Sequence, residues 1–234
     1  MTSSLNGKTV IVIGGSSGIG AAVALAAIAR GAQVVLAGRR LMPGIDNGVR
    51  SEPVDVTDSA SLQRLFETVG HFDHLVYTSG PSVRAKTLIE TDLDEAQDNF
   101  NVKLWGALRA IQQALPFLHE HGSIILTSGQ LGRKLAAGQF IKTGINAATE
   151  ALGKQLAKEL APRRVNVISP GVIDTPAYAG LCEEQRLAMF AKAGGALPVG
   201  RVGQAEEVAA GYVLAMENGF MTGAVIDIDG GGQL

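Results

Sequence analysis

The stretch Val10-Ile-Val-Ile-Gly-Gly-Ser-Ser-Gly-Ile-Gly-Ala-Ala-Val-Ala-Leu-Ala-Ala-Ile-Ala-Arg30 constrains the fold more than any other part of this chain. Four β-branched residues in a row, Val10 to Ile13, predict a strand buried on both faces, and the alanine-rich run after Gly20 predicts a helix packed closely on it. The connection between them needs glycine for separable reasons. Gly14 bends the chain off the strand, Gly18 lets backbone approach a pyrophosphate, and Gly20 lets helix and strand touch. With Ser16, Ser17 and Ile19 in the same turn, the helix start offers unpaired N–H groups and a positive dipole end to an anion. A loop with no ligand is the plain alternative; a strand before and a helix after favour a dinucleotide.

Gly31 closes that helix and Gln33–Ala37 predicts a second buried strand, completing a βαβ unit. An acid at its end would hold a ribose 2′-hydroxyl. This chain has Gly38-Arg39-Arg40, which suits a 2′-phosphate, so NADP(H) is expected ahead of NAD(H); solvated loop charge is the alternative. At 234 residues and 46% hydrophobic content the chain is long enough for a single α/β domain over residues 1–234 with a full core. A net charge of -2 with scattered basic residues gives no electrostatic case for nucleic acid or an anionic membrane. The lone Cys182 excludes an internal disulfide and suits a reducing compartment. Met1 to Lys8 carries no apolar run behind its charge, and no segment has the apolar length of a membrane span, so a cytoplasmic location is expected. His71 and His74 lack a convergent carboxylate or cysteine pair, and no metal site is expected.

Further along, Leu41 to Ser51 is too broken by Pro43, Gly44, Asn47 and Gly48 to make a crossover helix. A short strand is expected at Glu52–Val56, a helix from Thr57-Asp58 to about Val69, and a strand at Asp73–Gly80. One long helix is expected over Asp92–Leu118, with an apolar seam of Phe100, Leu104, Ala107, Leu108, Ile111, Leu115 and Leu118. Then follow a strand at Ser123–Ser128, a helix at Gln139–Leu160, a strand at Arg164–Ser169, and a loop over Pro170–Pro176. A mobile helical lid is expected around 177–196, with Gly194-Gly195 as its hinge, before a helix at Gln204–Glu217 and a last strand at Ala224–Ile228. Tyr178, Leu181, Leu187, Met189 and Phe190 in the lid suit an apolar substrate.

Several pieces in order resemble the short-chain dehydrogenase/reductase family over nearly the whole chain: Gly14-x-x-x-Gly18-Ile-Gly20, Asp55-Val56, Gly80, Asn166-Val-Ile-Ser-Pro-Gly171 with Thr175, Leu197-Pro-Val-Gly-Arg201, and Thr222-Gly223 with Asp229-Gly-Gly231. The resemblance implies a Rossmann-type, doubly wound parallel sheet of about seven strands with helices on both faces. It places cofactor contacts at Gly14, Ser16, Ser17, Gly18, Ile19, Gly20, Arg39, Arg40, Asp55, Val56, Ser79, Gly80, Pro170, Gly171, Ile173 and Thr175. It also implies a homo-oligomer, a dimer or tetramer, formed through the two long helices, where Ala147, Ala148, Ala151 and Gly153 would allow close approach. The family's Asn-Asn-Ala-Gly turn is here Tyr77-Thr-Ser-Gly80, keeping only the glycine.

The catalytic positions depart most. The family uses a Tyr acid, a Lys four residues later, a Ser on the preceding strand and an Asn on the helix before it. Counted from Glu159-Leu160 and from Pro116, these positions hold Lys142, Asn146, Gly129 with Ser128 beside it, and Lys103. No Tyr-x-x-x-Lys is present. Asn and Lys have exchanged places, so the pocket still holds one ammonium and one carboxamide. Lys103 is expected to supply positive charge near the nicotinamide ribose and Asn146 a positioning hydrogen bond, unless Lys103 is a snorkelling surface residue. Lys142, with its pKa lowered by burial, is one candidate proton donor; Tyr77 and Ser128 are others. The expected activity is hydride transfer between NADP(H) and a small carbonyl or alcohol by a non-standard catalytic set of Lys103, Ser128, Lys142 and Asn146. A catalytically silent NADP(H)-binding sensor, a structural partner of an active relative, and an enzyme of different chemistry in the same cleft are the rivals.

Overall fold

A computed structural model describes residues 4–39, 49–81 and 83–234. Its centre is one sheet of seven parallel strands in the order β3-β2-β1-β4-β5-β6-β9. The strands are β1 (Thr9–Ile13), β2 (Gln33–Gly38), β3 (Val49–Pro53), β4 (Phe72–Tyr77), β5 (Leu118–Thr127), β6 (Arg164–Pro170) and β9 (Val225–Ile228). The intervening β7 (Ile173–Asp174) and β8 (Gly203–Gln204) pair with each other in a separate two-stranded sheet.

Alternation along the strands divides the core into two layers. Ile11, Ile13, Val35, Ala37, Leu75, Ile124 and Leu126 face α2 (Ser59–Val69), α4 (Gly106–Ala114) and α5 (Phe140–Glu159). Val10, Val12, Val34, Leu36 and Ile125 face α1 (Gly18–Ile28) and α7 (Ala205–Glu217). Buried on both sides, these strands read as the continuous apolar runs from which the sheet was expected. A small third cluster of Ala96, Ile141 and Ile145, with Val83 and Phe100 against it, fastens α3 (Leu93–Phe100) to the start of α5.

The expected elements recur with corrected bounds: the strand expected at Ser123–Ser128 is Leu118–Thr127, and the one expected at Asp73–Gly80 is Phe72–Tyr77. The strand expected at Glu52–Val56 is Val49–Pro53, and the backbone then turns where Asp55 Oδ1 accepts from Thr57 N at 2.9 Å and Thr57 Oγ1 at 2.7 Å. Pro53 is tolerated because β3 is an edge strand. The single helix expected over Asp92–Leu118 is α3, a π-turn at Asn101–Trp105, and α4; Pro116 cannot continue it, and Leu118 already pairs with Phe72 as the start of β5. The loop expected at Pro170–Pro176 contains β7. The absent crossover helix concerned residues that lie mainly at 41–48, outside those described; Val49 to Ser51 belong to β3.

The segment between β7 and β8 carries α6 (Glu183–Gly195), with Tyr178 edge-on to Phe190 at 5.3 Å between ring centroids. Gly194 lies within that helix, and a Cβ there would stand 2.8 Å from Arg201 Cα, so close packing accounts for the glycine. Gly153, expected on an oligomer surface, faces the sheet: its Cβ would meet Val167 Cγ2 at 2.3 Å. Ala147 and Ala151 are exposed.

Candidate active site

The glycine turn after β1 is shaped by what stands against it. A Cβ on Gly14, whose φ is +90°, would lie 2.6 Å from Ser79 N, and one on Gly20 would lie 2.3 Å from Gly14 O. Gly18, at φ +52°, faces Thr175 with 3.3 Å between its Cβ position and that of the threonine. The turn thus brings the ends of β1 and β4 and the segment after β7 together. Ser17 precedes α1 in extended conformation without a side-chain cap, so its hydroxyl does not compete for the helix's first N–H groups. Ser16 and Ser17 are exposed.

Arg39 follows the last residue of β2, exposed and without a hydrogen bond or ion pair to any described residue. It faces Asp55, whose carboxyl is held below its ordinary range by the Thr57 N–H and hydroxyl and, more weakly, by the Arg39 charge. Arg40 lies outside the described residues. Val56 is buried against Gly106, Pro170 is buried in β6, Gly171 backs onto Asp229, and the Ile173 side chain packs on Gly203. Val56 and Ile173 thus put their side chains into the core, leaving backbone for any ligand.

Lys103 sits in the π-turn. Gly106 N–H donates to Asn101 O, five residues back, which leaves Val102 O to accept from Tyr77 Oη at 2.6 Å. Tyr77, considered above as a proton donor, is only 2% exposed. Burial pushes its phenol pKa up, and its hydroxyl is spent on the π-turn. Gly106 is required there, since a Cβ would lie 2.6 Å from Tyr77 Oη. A side chain thought to face substrate is instead a strut under the helix.

From this turn the half-buried Lys103 stem runs past Gly80, 3.4 Å from its Cβ position to Lys103 Cδ. The ammonium donates to Asn146 Oδ1 at 2.9 Å and to Ser128 O at 3.3 Å. Burial first, and the neighbouring Lys142 charge second, bring the Lys103 pKa down to about 8. Lys142 stands one turn before Asn146 on α5 and is also lowered by burial. It has no hydrogen bond or ion pair among the described residues. Asn146 is buried, wedged where a Cβ on Gly129 would approach its Nδ2 to 3.0 Å. Of the four sequence-predicted catalytic residues, Lys103, Asn146 and Ser128 are therefore joined by hydrogen bonds at the carboxyl end of β5, with Lys142 one turn away on α5.

Ser128 enters differently from the expectation of a free hydroxyl. Its Oγ donates to Glu150 Oε1 at 2.9 Å while its carbonyl receives Lys103. Glu150 is one turn beyond Asn146 on the same face of α5, is 8% exposed, and takes Arg133 Nε on its other oxygen at 3.0 Å. Arg133 continues to Asp227 on β9 and to Ser169 Oγ at 3.3 Å. Sequence reasoning missed Glu150 and Arg133. The available signal was the spacing Lys142, Asn146, Glu150, which puts an acid on the inward stripe of a long helix.

Among the described residues no group of three or more His, Cys, Asp or Glu side chains could hold a metal ion, and no helix is long and apolar enough to cross a membrane. A family profile described as enoyl-(acyl carrier protein) reductase matches residues 13–233. Carbonyl reductase family member 4 of Danio rerio is 31% identical over 243 residues, covering 97% of this chain and 98% of its own. L-fucose dehydrogenase of Mus musculus is 36% identical over 244 residues, covering 98% and 89%. The crystal structure of a small-chain dehydrogenase in complex with NADPH superposes with a TM-score of 0.85 at 41% identity, covering 96% of this chain and 97% of that one. With its parallel seven-stranded sheet, its glycine turn and these matches along nearly its full length, the chain belongs to the short-chain dehydrogenase/reductase family of nicotinamide-dependent oxidoreductases.

Proposed function

We propose that this protein is an NADP(H)-dependent oxidoreductase acting on a small carbonyl or alcohol, with Lys103, Lys142, Asn146 and Ser128 in place of the Tyr-x-x-x-Lys set. The observation that carries the reading is the 2.9 Å hydrogen bond from Lys103 Nζ to Asn146 Oδ1, an ammonium and a carboxamide meeting across α4 and α5 at the sheet's carboxyl edge. The glycine turn fits a dinucleotide, because side chains at Gly14 and Gly20 would close the space that backbone now occupies. Gly14, Ser16, Ser17, Gly18, Ile19 and Gly20 would cradle the pyrophosphate. Arg39 and Arg40 would take the 2′-phosphate, and Asp55 and Val56 the adenine. Ser79, Gly80, Pro170, Gly171, Ile173 and Thr175 would line the nicotinamide half.

When bound, NADP(H) supplies or accepts the hydride. Lys142 holds the proton that the substrate oxygen takes up, its ammonium acidified by burial. Lys103 sets positive charge beside it and is oriented by Asn146 Oδ1 and Ser128 O. Ser128 acts through its carbonyl, since its hydroxyl is committed to Glu150. The segment 177–196, carrying α6, serves as the cover over the substrate. The small exposed side chains Ala147 and Ala151 suit close approach of a second copy.

The test is a fluorescence titration with NADPH and, in parallel, NADH. Tight NADPH binding, weak NADH binding, and a loss of about tenfold or more in NADPH affinity in Arg39→Ala are expected, with NADH affinity unmoved. Equal affinity for both nucleotides would remove the 2′-phosphate role of Arg39.

A further inference from the structure

Among the described residues, two lysines at the heart of this site lack a counter-charge. The acid on the same helix face, Glu150, is engaged on both oxygens, by Ser128 Oγ and by Arg133 Nε. The acid beyond it, Asp227, is taken by the same arginine. Among the described residues Lys103 meets only neutral acceptors, Asn146 Oδ1 and Ser128 O, which leaves one of its three N–H bonds without a described partner. Lys142 has spent none on a described residue. Half-buried ammonium groups beside one another are costly to keep charged without an anion. The dinucleotide phosphates do not meet this need, since the glycine turn that suits them lies at the end of β1, whereas the Lys103 ammonium, carried by the π-turn, reaches the end of β5 and Lys142 stands on α5.

From this arrangement we infer that Lys103 and Lys142 form an oxyanion-binding pair, and that the substrate carries a carboxylate next to its reacting carbonyl, as a 2-oxo acid does. The inference rests on the oxidoreductase reading and adds the substrate class to it. A carboxylate presents two oxygens and so can serve both ammonium groups, while the adjoining carbonyl stays within reach of Lys142. Lysine suits the task as a point charge on a flexible stem, and the Asn146 amide restrains one of the two.

The experiment is calorimetric titration of the NADPH-saturated protein with oxamate, a 2-oxo-acid mimic, and with oxamide, its uncharged counterpart. Oxamate is expected to bind at least about tenfold more tightly than oxamide. Lys142→Met should remove that preference and Lys142→Arg should keep it. Equal binding of the two compounds by the unmodified protein, or no binding of oxamate, overturns the inference without touching the cofactor reading. If NADPH itself fails to bind, the cofactor reading falls instead. The same two compounds titrated into the nucleotide-free protein then decide the anion site by the same preference.

Discussion

The turn after β1 and the corner after β5 stand at the same edge of the sheet and are made of opposite materials. The first is backbone: at Gly14 and Gly20 a side chain would collide with main-chain atoms. The second is side chains, a chain of contacts from Lys103 through Asn146 and Ser128 to Glu150, Arg133 and Asp227. Backbone sites tolerate almost no substitution yet depend on few residues. Side-chain sites can exchange members, provided charges and hydrogen bonds still close. The proposed trade of an asparagine and a lysine between Lys103 and Asn146, which hydrogen-bond at 2.9 Å, would be such an exchange, and no equivalent is open to the turn.

The sharpest break between the two regions is expected from Gly20→Val. Its Cβ would stand 2.3 Å from Gly14 O and 2.6 Å from Thr78 Oγ1, so β1 and α1 must part. A loss of more than about 3 kcal/mol in urea unfolding, with no NADPH binding, is the expected outcome. A variant as stable as the parent would show that the turn has slack the geometry denies.

The same contrast explains what could be read in the sequence. The sheet, its two-sided burial and the glycine turn were legible because they rest on local rules: β-branched runs, alternation, and glycine where nothing else fits. The corner was legible only as a set of positions. Lys103, Lys142 and Asn146 could be placed by counting, but Glu150 and Arg133 join through contacts between residues far apart in the chain, and Ser128 gives its hydroxyl to the helix rather than the cleft. The π-turn was hidden for a similar reason. The Asp92–Leu118 pattern satisfies a continuous helix, and the break is stabilised by Tyr77 from another strand.

A smaller effect should follow from opening the polar chain at its buried acid. Glu150→Leu leaves the Ser128 hydroxyl, on a residue 3% exposed, without its acceptor, whereas Arg133 keeps Asp227. The expected cost is about 2 kcal/mol by thermal melting. Adding Ser128→Ala should recover part of it, with a coupling of about 1 kcal/mol in the double-mutant cycle. Additive losses would mean that packing, not the hydrogen bond, holds the corner.

The smallest effect is electrostatic. Lys103 titrates near pH 8 in the folded chain, so its reaction rate with an amine-selective acylating reagent, followed by mass spectrometry, should rise through that pH. The groups facing it are Lys142 and Asn146 from α5 and the Ser128 carbonyl from the end of β5, while the Glu150 carboxylate is turned to Arg133. Lys142→Met removes a like charge, which favours the ammonium form and moves the Lys103 midpoint upward, toward its ordinary 10.5. Burial is the larger cause of the depression and Lys142 the lesser, so the rise should stay below about one pH unit. A rise well beyond that would make charge repulsion the dominant force in the corner. No rise at all would show that the two ammonium groups do not sense each other, and the corner would then be built, like the turn, without long-range charge.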